Sequence, residues 1–128
     1  MPKETYVHEF FNGTLTATWT SPDFECEDYD EALIVVSIFA VSGTTPTLVP
    51  EIEISGDRAN WVHRYTIVDT DTQGNLTRLT VPTVEGKLRA AGMYGCLLKD
   101  NLGKYMRVVA TLAGTTPSYT LNITGYFK

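Results

Sequence analysis

Histidine, cysteine and basic residues are all scarce in this chain. Among 128 residues there are two histidines and two cysteines. His8 and His63 stand far apart, and no Gly-x-Ser-x-Gly turn occurs. The nucleophile, base and orienting acid of a hydrolase therefore have no visible source. Cys26 and Cys96 lack Cys or His company at ligand spacing, so no zinc motif is present. With no export signal in Met1–Tyr6, they read as free thiols rather than a disulfide. Phosphate-loop and dinucleotide fingerprints are missing as well. Ten Lys or Arg against fifteen Asp or Glu give a net charge of -5, which argues against nucleic acid, because phosphate binding needs a basic face. No apolar run has the length of a membrane-spanning helix.

What the chain does have is strand patterning. Thr14–Thr20 alternates, with Leu15, Ala17 and Trp19 on one side and threonines on the other. Leu33–Val41 is apolar on both faces and reads as a central strand, as does Tyr105–Leu112. Val35, Val36, Ile38, Val108 and Ala110 are the expected inaccessible residues. In the last segment Tyr119, Leu121, Ile123 and Phe127 share a face. One phrase occurs twice: Gly43-Thr44-Thr45-Pro46 and Gly114-Thr115-Thr116-Pro117. Gly permits unusual backbone angles and Pro fixes φ, so each phrase reads as the turn of a long hairpin. Lys99–Gly103 reads as another hairpin tip, and Lys87–Ala91 as strand and loop rather than helix. The sum is about eight strands in one domain, the pattern of an all-β, two-sheet antiparallel β-sandwich of jelly-roll type. Residues 1–13 are an N-terminal arm or first edge strand, and residues 14–128 the sandwich.

Few residues suggest a site. Asp69, Asp71 and Gly74 are spaced like the start of a calcium loop, but the distal Glu is missing, so no metal is expected. The acidic stretch Asp23, Glu25, Glu27, Asp28, Asp30 and Glu31 reads as a solvated loop that can dock on a basic partner. His63 reads as an ordinary strand histidine. Trp19 reads as core, while Trp61, following the turn Ser55–Asn60, is the better candidate for an exposed sugar-stacking platform.

Several phrases resemble small virion proteins of tailed bacteriophages. They are the acidic-Tyr entry Glu27–Val36, the segment Ile52-x-Ile54-Ser55-Gly56-Asp57 with Asn60-Trp61, and Gly103-x-Tyr105-x-Arg107-Val108-Val109-Ala110 before the second Gly-Thr-Thr-Pro. The resemblance spans Tyr29 to Phe127 and implies a jelly-roll head decoration or cement protein. Such a protein lies on the capsid surface after assembly in the host cytoplasm. Its partner is the major capsid protein, and it often self-associates as a trimer. No catalytic residue and no cofactor come with the resemblance. The expected contact set is Tyr6, Val7, Phe10 and Phe11 of the arm with Tyr29, since short aromatic segments make good anchors. On this reading the arm is separable, and the body survives loss of Met1–Phe11. The alternatives are a carbohydrate-binding β-sandwich module, or a structural component of the phage neck, tail or fibre.

Overall fold

The computed structural model describes residues 5–68 and 87–128. Asp69, Asp71 and Gly74, whose spacing is like the start of a calcium loop, lie outside the described residues. Within them the chain is all-β, with no helix and a single antiparallel sheet. Seven strands form it: β1 (Tyr6–Leu15), β2 (Trp19–Thr20), β3 (Phe24–Glu25), β4 (Glu31–Ser55), β5 (Val62–Thr66), β6 (Gly92–Lys99) and β7 (Tyr105–Phe127). No peptide bond is cis among the described residues.

The repeated phrase is not a hairpin turn. Both copies lie inside very long strands, and β4 and β7 run antiparallel to each other from Ala32↔Phe127 to Ser55↔Tyr105. The phrases meet where the ladder changes register, around Thr44↔Thr115. Gly43 and Gly114 have φ of +113° and +112°. A Cβ on Gly43 would fall 2.6 Å from the Thr116 carbonyl oxygen, and one on Gly114 2.7 Å from that of Thr45. Each phrase therefore makes room for the other's backbone. Thr45 and Thr116 follow with φ of 47° and 48°, and each hydroxyl donates to the preceding carbonyl at 2.8 Å. The turn chemistry was legible, but it bends two paired strands instead of reversing either.

This crossing divides the sheet into two wings. In the first, β6 pairs with residues 31–38 of β4, which pair with the end of β7, which pairs with β1. In the second, β5 pairs with residues 51–54 of β4, which pair with the start of β7, which pairs with β2 and β3. The pattern repeats within the chain: β1, β2–β3 and β4 are matched by β5, β6 and β7. Lys99–Gly103 is thus not a hairpin tip but a crossing from one wing to the other. Arg64 holds it by donating to the carbonyls of Lys99, Asp100 and Asn101 at 3.3–3.4 Å.

One hydrophobic cluster draws buried side chains from both wings. Ile34, Val36 and Ile38 enter it from one half of β4, and Leu48 and Ile52 from the other. Met106, Val108, Ala110, Tyr119, Leu121, Ile123 and Phe127 enter it from β7. The shared face expected for the last segment is correct. Val35 is only half-buried, because β4 alternates strictly here instead of burying both faces. The Thr14–Thr20 alternation also breaks. β1 stops at Leu15, Ala17 is exposed, and the chain changes wing before β2 begins at Trp19. Tyr119 is fully buried, and its hydroxyl donates to the Leu88 carbonyl at 2.7 Å. That burial pushes the phenol up to about 12.

Candidate functional site

β1 is an edge strand, not a loose arm. It pairs with β7 from Tyr6↔Phe127 to Leu15↔Tyr119, with a bulge between Glu9 and Phe11. The bulge turns both phenylalanines inward. Phe10 is buried, and Phe11 is half-buried with its ring 4.8 Å from that of Trp19. Of the expected contact residues, only Tyr6 and Val7 are exposed. Tyr29 is half-buried against Phe127 at 5.7 Å.

Tyr6 and Tyr29 belong to an aromatic stack that closes one end of the core. Phe24 lies at its centre, 5.6 Å from Tyr6, 4.2 Å from His8 and 4.7 Å from Phe127. Gly125 makes the stack possible, since a Cβ there would fall 2.5 Å from Phe127 and 3.0 Å from Phe10. His8 is desolvated among these rings, which lowers its pKa. The acidic stretch is therefore not a free loop. It contributes Phe24 to the stack and buries Cys26, and ion pairs tie Asp23 to Arg58 at 3.2 Å and Glu31 to Lys128 at 3.2 Å. Both cysteines are buried, and neither is in a disulfide. Burial pushes the Cys26 thiol up to about 11, and it donates to the Leu102 carbonyl at 3.3 Å.

The outward faces of the two wings differ in kind. Residues directly paired across strands share a face. On the first wing the register places Val7, Tyr126, Leu33 and Leu97 in one row across four strands. Further along, Val35 lies beside Gly95, Ser37 lies beside Met93, and Phe39 protrudes at a bulge in β4. Met93 and Phe39 are 69% and 64% exposed, with Val7 at 54%, so this face offers large apolar groups to its surroundings. Below the row lies a cleft of about 400 Å³, lined by Thr5, Glu31, Leu33, Leu97, Lys99, Tyr126 and Lys128.

The second wing's outward face is charged and internally satisfied. Arg107 pairs with Glu53 at 2.7 Å and lies 4.2 Å over the Trp61 ring. Arg58 lies 4.2 Å over Tyr105. Beside them Ser55 and Asp57 organise the turn. The Asp57 carboxylate accepts from the backbone N–H groups of Ala59 and Asn60 at 2.9 and 2.8 Å. These bonds, with the Asn60 side chain and the Ser55 hydroxyl, hold its carboxyl well below the usual range. Trp61 is half-buried, with the Arg107 guanidinium over one face of its ring. His63 is exposed, within 2.8 Å of the Thr66 hydroxyl.

Sequence reasoning missed the apolar outward face of the first wing. Its members come from four strands and converge only through register, although the phase of Leu33, Val35 and Ser37 opposite Ile34 and Val36 carried part of the signal. Among the described residues, no group of three or more His, Cys, Asp or Glu side chains is placed to hold a metal ion. No family model, curated protein or solved structure matches the chain.

Proposed function

We propose that this chain is a non-enzymatic structural protein of a tailed-phage virion, a decoration or cement protein that binds the capsid lattice. The observation that carries the reading is the first wing's outward face. Val7, Tyr126, Leu33 and Leu97 form an apolar row across four paired strands, and Met93 and Phe39 stand exposed further along the same wing. Large apolar side chains exposed together on one wing are the kind of feature that marks a protein contact. Of the phrases that resemble virion proteins, the start of β4 belongs to this wing, while the Ser55–Trp61 turn and the start of β7 belong to the other.

The fold proposed with it is a two-layer sandwich of jelly-roll type. The strand pairing supports this when β2 and β3 count as one strand and β4 and β7 as two each, divided at the repeated phrase. The first strand then pairs with the last, the second with the seventh, the third with the sixth and the fourth with the fifth. A rolled-up antiparallel ribbon has this pairing. Ring contacts between wings, such as Phe24 with Phe127, support the closure of one layer on the other.

Function follows from avidity. Each copy buries a modest apolar patch on a capsid subunit, and lattice symmetry with trimeric self-association multiplies the effect. The test is co-sedimentation with empty expanded heads. The expected result is saturable binding, with a plateau at a fixed number of copies per head, lost in Tyr126→Asp. Saturable binding to purified tails or to a glycan, with none to heads, overturns the reading.

A further inference from the structure

The cleft at the end of the first wing's outward face is organised in two parallel rows. One is apolar: Tyr126, Leu33 and Leu97, one residue from each of β7, β4 and β6, with Val7 of β1 continuing the row past the cleft. The other runs beside it at the strand ends: Thr5, Lys128, Glu31 and Lys99. The second row is cationic, on a chain whose net charge is -5. Lys128 shares its charge with Glu31 at 3.2 Å, while Lys99 is exposed and has no carboxylate partner among the described residues. The trough therefore pairs an apolar floor with the exposed Lys99 ammonium group along one rim.

We propose that this trough is the docking site for an extended segment of the partner protein that carries apolar side chains on one side and carboxylates on the other. Alternation along an extended segment places successive side chains on opposite sides. One set then fills the row of Tyr126, Leu33 and Leu97, while the other faces Lys99 and Lys128. Charge complementarity selects the partner, because a basic segment is repelled by the Lys99 ammonium group and an acidic one pairs with it. The cleft, at about 400 Å³, has room for one or two bulky side chains rather than a whole domain. This assignment rests on the lattice-binding reading and names the chemistry that reading requires of the partner.

The test uses the full chain, labelled with nitrogen-15, and two probes: the peptide acetyl-DLDFD-amide and its neutral analogue acetyl-NLNFN-amide. The expected result is saturable shifts at the amides of Val7, Leu33, Leu97, Lys99 and Tyr126 with the acidic peptide. Binding should be about fivefold weaker for the neutral analogue and for Lys99→Glu, and retained in Lys99→Arg. No saturable shifts at this face, or equal affinity for both peptides, overturns the assignment. Head co-sedimentation separates this from the broader reading. Lys99→Glu protein that sediments with heads as well as wild type overturns the trough while lattice binding stands. Acidic-peptide binding by a protein that never sediments with heads supports the trough and removes the lattice.

Discussion

At the residue scale, the most demanding positions are those where backbone meets backbone. Gly43 and Gly114 combine a φ that side chains rarely adopt with carbonyl oxygens at 2.6 and 2.7 Å from a would-be Cβ. Gly43→Ala and Gly114→Ala should each cost about 2 kcal/mol or more in urea unfolding. Gly56→Ala is the control, since nothing lies within 4 Å of its added carbon, and it should change stability by less than about 0.5 kcal/mol. The titrating groups give two separate pH windows. His8 has a folded pKa below its ordinary value, so folding favours its neutral form. Its contribution is present above the unfolded pKa of about 6.5 and is lost as pH falls through the folded value. His8→Leu should flatten the decline in melting temperature that begins below about pH 6.5. Asp57 is also depressed, but it titrates at lower pH and acts on the exposed Ser55–Trp61 turn. Cys26 and Cys96 are buried thiols outside any disulfide, so a thiol reagent should label them only as the protein unfolds, and reductant should leave the melting temperature unchanged.

At the element scale, β1 takes the edge-strand alternative for residues 1–13 and runs on to Leu15, which departs from the expectation of a separable arm. An aromatic segment near the N-terminus looks like an arm when read alone. Only the partner strand, more than a hundred residues later, shows that the bulge at Glu9–Phe11 turns Phe10 into the core. Loss of Met1–Phe11 should therefore unfold or aggregate the protein rather than leave a stable body. Phe10→Ala should cost about 3–5 kcal/mol by thermal or urea melting. A truncated protein that melts like wild type would contradict the sheet register at β1. The long strands show how far local signals reach. Alternation placed Tyr119, Leu121, Ile123 and Phe127 on one face correctly, because side-chain period is a local property. Gly-Thr-Thr-Pro announced a change of direction correctly too. Whether the chain reverses or merely bends depended on the other copy of the phrase, and a single window of sequence does not hold that information.

At the scale of the whole molecule, the two outward faces divide the work. One carries ion pairs and ring contacts among its own charged and aromatic side chains, and the other exposes large apolar side chains. The all-β class was legible from composition and alternation. The apolar face was not, because Val7, Leu33, Leu97 and Tyr126 become neighbours only when β6, β4, β7 and β1 align. Hydrogen exchange on head-bound protein tests the central claim most directly, since it reads the docking face without substitutions. The account predicts added protection at residues 6–9, 31–35, 93–97 and 124–126 on binding, and little change at residues 58–63 and 105–107. Protection confined to the Ser55–Trp61 turn and the start of β7, with the first wing unchanged, would contradict it.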